Sequence, residues 1–240
     1  MTAWVAGTDG CRRGWVVSLR RKGSLEPVIR VVDTMSDVLL WNEPLEVLGI
    51  DIPIGLPERA EKGGRECDQA ARRLLGQPRG RSVFSPPARP ALAARTFDEA
   101  LALNRKTAKS TPGTGLSRQC FNLFPKIREV DRFVTQSLPM EVVEVHPELA
   151  FYELSGGRPL TESKKSPHGL ELRIELLEES LGCELSPLVE EHRSSKVARD
   201  DIVDAMAVCW TAERTLEGIA IRLPSTPPRD SRGLRMQIVR

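Results

Sequence analysis

The sequence predicts an α/β fold: a mixed five-stranded sheet, an antiparallel meander extended by parallel strands, flanked by helices and carrying a mainly helical, basic insertion. Three observations predict it. Apolar, β-branched runs at 4–9, 15–19 and 27–32 are separated only by short turns rich in Gly and Arg, the pattern of a meander. A helix-sized segment at 37–41, which Ser36 can cap, then separates the third run from a fourth at 47–53; a helix between two strands implies a crossover and a parallel addition to the sheet. Finally, strand texture returns at 141–148 only after a long stretch, 56–139, of helical and loop-like character.

Each element has its own signal. Gly10 and Gly14 bracket a tight reversal between the first two strands, and Trp15 opens the returning one. The fourth run is apolar up to Asp51 and stops at Pro53 and Gly55. The stretch 56–139 is broken at Ser85-Pro86-Pro87 and at Thr111-Pro112-Gly113. It holds sixteen Lys or Arg against eight Asp or Glu, whereas the whole chain carries a formal charge of only +2, so the remainder is net negative. A basic cap over an acidic site has that distribution, and so has an ordinary solvated helical surface. Residues 1–240 therefore read as one domain, with 56–139 inserted between the fourth and fifth strands. Alternation along 141–148 places Val143 and Val145 on one face and Glu144 with His146 on the other. Helices are expected at 150–154, at 170–181 with Gly182 as the stop, and at 197–216; the Pro- and Arg-rich tail from Pro224 should pack along the surface.

Five scattered cysteines without a Cys-x-x-Cys pair argue against a disulfide framework, a disulfide-linked partner and a zinc ribbon. No apolar run reaches the length of a membrane span and no basic-then-apolar leader opens the sequence, so a soluble, cytoplasmic protein with no membrane partner is expected.

The carboxylates carry the chemistry. Asp9 ends the first strand and Asp51 the fourth; neighbouring strands lie about 4.8 Å apart, so parallel pairing brings both acids to one end of the sheet. The last helix offers Asp200, Asp201 and Asp204, at spacings of three and four that share a face and include no lysine partner. A solvated acidic first turn would account for them, and so would a cation. Hard divalent ions take oxygen ligands, and two such ions clamp the attacking and leaving oxygens of phosphoryl transfer. Asp9, Asp51, Asp204 and Asp201 are thus expected to converge as a two-metal site for Mg²⁺ or Mn²⁺, with Glu144 as a further catalytic carboxylate. His146 is a candidate general base; the alternative is a structural histidine bonded to a backbone carbonyl. Arg12, Arg72, Arg73, Lys126, Lys164 and Lys165 are candidate contacts to substrate phosphates, and Gly113-Thr114-Gly115-Leu116-Ser117 a weak candidate phosphate cradle.

The order strand-strand-strand-helix-strand with Asp on the first and fourth strands, then Asp-x-x-Asp-Ala on a late helix, resembles the ribonuclease H-like superfamily. More closely, Gly-x-Asp-Gly-Cys-Arg-x-Gly-Trp at 7–15, Gly-Ile-Asp-Ile-Pro-Ile-Gly-Leu-Pro at 49–57, Arg-x-Cys-Asp at 65–68, Ser-Val-Phe-Ser-Pro-Pro at 82–87, Gln-x-Phe-x-x-x-Pro-Lys-Ile at 119–127, Glu-Val-His-Pro-Glu at 144–148 and Ser-Lys-Lys at 163–165 are similar to domain-of-unknown-function family 429 (DUF429). Arg13 departs from that pattern, where a second Gly is expected. The resemblance implies a ribonuclease H-like fold and, by analogy, a metal-dependent nuclease with a nucleic-acid partner. Two other readings remain: a nucleotide- or phosphate-handling enzyme of the same fold, which would use a phosphate loop in the first hairpin, and a non-catalytic nucleic-acid-binding module.

Overall fold

A computed structural model of the chain describes residues 3–108, 115–134 and 137–240. The Thr111-Pro112-Gly113 break and the first two residues of the candidate cradle at 113–117 lie outside the described residues. Strands β1 (Trp4–Gly10), β2 (Trp15–Arg21) and β3 (Val28–Val32) form the expected antiparallel meander. A 3-10 turn, Met35–Leu40, replaces the expected helix; the carboxylate of Asp37 accepts from the Thr34 amide, and the element begins two residues early. The chain then crosses to β4 (Leu45–Ile50), parallel to β1, and β5 (Glu141–Glu144) adds in parallel beyond it. The sheet order is β3-β2-β1-β4-β5.

Between β4 and β5 come helices α1 (Glu66–Leu75), α2 (Phe97–Thr107), α3 (Arg118–Asn122) and α4 (Phe124–Phe133), with 3-10 turns at Arg79–Ser82 and Arg89–Ala93. After β5 follow α5 (Pro147–Leu154), α6 (Pro167–Leu181), α7 (Ser186–His192) and α8 (Arg199–Leu216), then a two-stranded ribbon of β6 (Arg222–Leu223) and β7 (Ile238–Val239). The strand expected over 141–148 stops at Glu144. Pro147 has the fixed φ of a first helical residue and starts α5, which turns His146 into the cap of that helix. The tail does more than lie on the surface: Ile238 and Val239 are buried, and Val239 bridges Val145. No helix among the described residues is long and apolar enough to cross a membrane, and all five cysteines are free thiols.

Strand periodicity decides which side of the sheet each residue faces. Val5 and Val47 pack with Val208, Cys209 and Ala212 of α8. On the opposite face Ala6, Leu48 and Ile50 pack with Phe124, Ile127 and Val130 of α4. The α8 side of β1 therefore reads Val5, Gly7, Asp9, and that of β4 reads Val47, Gly49, Asp51. Both glycines are there for close approach. A Cβ on Gly7 would lie 2.0 Å from the Cys209 amide nitrogen, and one on Gly49 would lie 2.7 Å from a Val208 methyl. In register, Gly7 faces Gly49 across the β1–β4 pair, and the Asp51 amide donates to the Thr8 carbonyl at 3.0 Å. The two carboxylates then emerge side by side beneath the first turns of α8.

Gly7→Ala is expected to destabilise the fold by about 1–3 kcal/mol or more, because the obstruction is backbone that cannot rotate away. Gly115→Ala, with nothing within 4 Å of the added methyl, should be near neutral. Urea unfolding of the two variants checks the difference.

Candidate metal centre

Asp9, Asp51 and Asp204 meet at the carboxyl ends of β1 and β4, each offering an oxygen within 4.8 Å of the others. Asp204 sits one turn before Val208 on the face of α8 that rests on Gly49, so helix spacing aims it at the strand ends. Asp9 accepts a hydrogen bond from the adjacent Gly10 amide at 2.6 Å. Among the described residues nothing donates to the Asp51 carboxylate. An all-oxygen set of three carboxylates fits a hard divalent cation such as Mg²⁺ or Mn²⁺, and lacks the Cys or His of a zinc site.

The electrostatics follow from crowding. Burial, then repulsion from Asp51 and Asp204, raises the Asp9 carboxyl well above its usual range. Burial and the charge of Asp204 push Asp51 up to about 8. Burial also raises Asp204, to about 6, although Lys164 beside it opposes the rise.

The other residues singled out in the sequence take different places. Asp201 is turned to the end of α8, where its carboxylate accepts from the Ala198 amide at 3.1 Å; the free amides of the helix start claim it. Glu144 lies on the strand beside β4, as expected, but is buried in a forked pair with Arg65 at 2.6 and 2.8 Å and accepts from the Ile54 amide at 2.6 Å. Arg65 also holds Asp68, at 2.7 Å. Glu144 is therefore a buried ion-pair partner, and it is not among the three carboxylates that meet within 4.8 Å. His146 accepts from the Glu148 amide through Nδ1 at 3.2 Å, and burial lowers its pKa. The expected general base is a neutral helix cap whose lone pair is occupied.

The basic candidates divide in the same way. Lys126 donates to the Gly14 carbonyl at 2.6 Å and lies over the Trp15 ring, pinning the first hairpin. Arg72 donates to the Val83 carbonyl at 2.7 Å and to Ser85 at 3.0 Å, holding the Ser-Pro-Pro turn rather than facing solvent. Arg89 pairs with Asp131 and Asp230, and Arg128 bonds the carbonyls of Leu92 and Ala94. Much of the positive excess of 56–139 thus stitches the insertion together. Arg12 and Arg73 are exposed. Lys164 and Lys165 supply the partners that α8 lacks in its own sequence: Lys164 bonds Asp204, and Lys165 bonds Asp200. Sequence reasoning missed this pairing, together with Arg65, Asp68, Glu148 and Arg173. The signal was present in the short motifs at 65–68, 144–148 and 163–165. Their pairing was hidden because Arg65 and Glu144 are 79 positions apart and Lys164 and Asp204 are 40 apart.

Fold and site together define an α/β protein with a mixed sheet and a carboxylate cluster at the ends of two adjacent parallel strands. The chain belongs to the family described as "Protein of unknown function (DUF429)", whose model matches residues 7–229. Comparisons with curated proteins and with solved structures give no match.

The raised carboxyls make a pH prediction. A carboxyl raised in the folded state adds stability below its unfolded value and loses it as pH climbs through the folded value. Asp51, near 8 when folded and 3.8 as its ordinary value, should therefore weaken the metal-free fold as pH rises. His146, lowered on folding, acts in the opposite sense, but only below its ordinary value of 6.5. Between pH 7 and 8.5 the thermal midpoint in the presence of a chelator should fall, and Asp51→Asn should flatten that fall. Differential scanning calorimetry across that window reads both.

Proposed function

We propose that this protein is a metal-dependent nuclease of the ribonuclease H-like class, hydrolysing phosphodiester bonds at Asp9, Asp51 and Asp204. The observation that carries the reading is the meeting of three carboxylates, from two parallel strands and a packed helix, within 4.8 Å. Sheet order β3-β2-β1-β4-β5 supports the class, since it is the arrangement that the resemblance requires. When bound, Mg²⁺ or Mn²⁺ supplies Lewis acidity towards a phosphate oxygen and makes water easier to deprotonate. The chain's own part is to hold the ion: strand ends hold Asp9 and Asp51 rigidly, and α8 brings Asp204 over them. Arg12 and Arg73 are exposed, and on this reading they neutralise flanking phosphates of a nucleic acid, contacts that give affinity without sequence preference.

The first hairpin argues against the phosphate-loop reading. Three of its amides already have acceptors: Gly10 donates to Asp9, Cys11 to the Gly14 carbonyl at 3.0 Å, and Arg12 to the Lys196 carbonyl at 3.1 Å. A loop that cradles phosphate needs such amides free.

Purified protein with Mn²⁺ should cleave one or more of single-stranded, duplex and branched DNA or RNA. Asp9→Asn and Asp204→Asn should each lower the rate by at least about 100-fold while salt-dependent binding persists. Absence of metal-dependent cleavage across that panel would contradict the proposal.

A further inference from the structure

Lys164 is the one cation bonded to the carboxylate cluster among the described residues, and its position is built. Its ammonium bonds Asp204 and lies 3.9 Å from Asp200. A lysine carries its positive charge at neutral pH, so this contact sets a cation directly against the cluster. The loop that carries it is anchored at several points. Ser166 caps α6 through the Gly169 amide at 3.1 Å and donates its hydroxyl to the Ser163 carbonyl at 2.8 Å. Gly169 has no room for a side chain, since a Cβ there would lie 2.1 Å from that same carbonyl. On the other flank Arg173, fully buried, donates to the Glu162 carbonyl at 3.1 Å and is held by both oxygens of Glu148 at 2.7 and 2.8 Å. A lysine that only solvates a loop requires none of this support.

Charge and ligand count lead to the same place. Fully ionised, Asp9, Asp51 and Asp204 carry three negative charges, and Lys164 returns one. Two remain, which one divalent ion neutralises and two would exceed. Asp200 is matched by Lys165. The further carboxylates that a second ion would need are engaged elsewhere, Asp201 at the start of α8 and Glu144 by Arg65.

We infer that Lys164 is the second cation of this centre: the three aspartates take one divalent ion, and the Lys164 ammonium supplies the remaining positive charge facing the substrate phosphate. The role rests on the hydrolase reading above. Hydrolysis adds water across the P–O bond: the water oxygen bonds to phosphorus and its proton passes to solvent. The leaving oxygen departs with the bonding pair and takes a proton from solvent. Lys164 keeps its own protons throughout. It holds one N–H on Asp204 and turns its charge to the oxygens on which negative charge accumulates, a preorganised cation. It is therefore a catalytic residue rather than a surface phosphate contact.

The test needs no substrate. The full-length protein is titrated with Mn²⁺ alone, with bound ion followed by electron paramagnetic resonance, and only ions lost in Asp51→Asn are counted. The wild type is expected to take up one ion per chain. Lys164→Met, which keeps the length and removes the charge, should tighten Mn²⁺ binding by at least about tenfold, and Lys164→Arg should leave both count and affinity near those of the wild type. Should Lys164→Met not fold, Lys164→Gln provides the same comparison and the wild-type count still decides. Two counted ions per wild-type chain, no counted ion, or unchanged affinity on removal of the charge would each overturn the inference. Cleavage with two counted ions would retain the nuclease reading and discard the role of Lys164. One counted ion with tighter binding in Lys164→Met, but no cleavage of any nucleic acid, would retain the charge assignment and discard the nuclease.

Discussion

The contact of α8 with the bare backbone of β1 and β4 is the constraint on which the rest of the site depends. Gly7 and Gly49 face each other across the strand pair, and neither can carry a methyl group without striking α8. Their side of each strand ends, two residues on, in an aspartate. A helix lying that close necessarily places its own first turns over those acids. Had either glycine been alanine, the helix would stand off by about the width of a methyl group, and Asp204 would lose its reach to Asp9 and Asp51. The apolar residues beyond, Val5, Val47, Val208 and Ala212, contribute most of the free energy of this contact, at about 1.5–3 kcal/mol for each fully buried large side chain.

Charge and burial oppose each other at this point. Three carboxylates within 4.8 Å repel, and burial removes the water that would screen them. The chain relieves the strain only in part. Lys164 and Lys165 neutralise Asp204 and Asp200, whereas Asp51 has no donor among the described residues and is pushed up to about 8. Nearby, buried acids have arginine partners: Glu144 and Asp68 share Arg65, and Glu148 is matched by Arg173. Breaking such a buried pair typically costs about 3–5 kcal/mol, so those pairs are rigid supports. At the three aspartates neutralisation is incomplete, and an ion of charge two would complete it.

Much of this was legible in the sequence because it is local. Alternation and turns place β1 to β3; the apolar run ending at Asp51 marks β4; the spacing of Asp201 and Asp204 marks the start of a helix. The meander and the parallel addition follow from those signals alone. What escaped was set by competition between partners distant in the chain. Asp201 and Asp204 look equivalent by spacing, yet the unpaired amides at the start of α8 claim the first and leave the second to the cluster. Glu144 reads as a ligand until Arg65, from the insertion, closes around it. His146 alternates correctly for a strand, but Pro147 ends that strand and makes the histidine a cap. Positive charge in 56–139 suggested a phosphate grip, whereas several of its arginines bond carbonyls and acids within the fold. The Ser-Lys-Lys motif was visible; that it completes an acidic helix 40 residues away was not.

The central claim is that Asp9, Asp51 and Asp204 jointly ligate a divalent cation. Anomalous diffraction at the manganese edge, from crystals of the full chain grown with Mn²⁺, measures it directly. The account predicts an anomalous peak bounded by one oxygen from each aspartate, at metal–oxygen distances of about 2.0–2.6 Å. Crystals with Mn²⁺ bound only elsewhere, or with none, and with the three carboxylates unchanged in position, would contradict it.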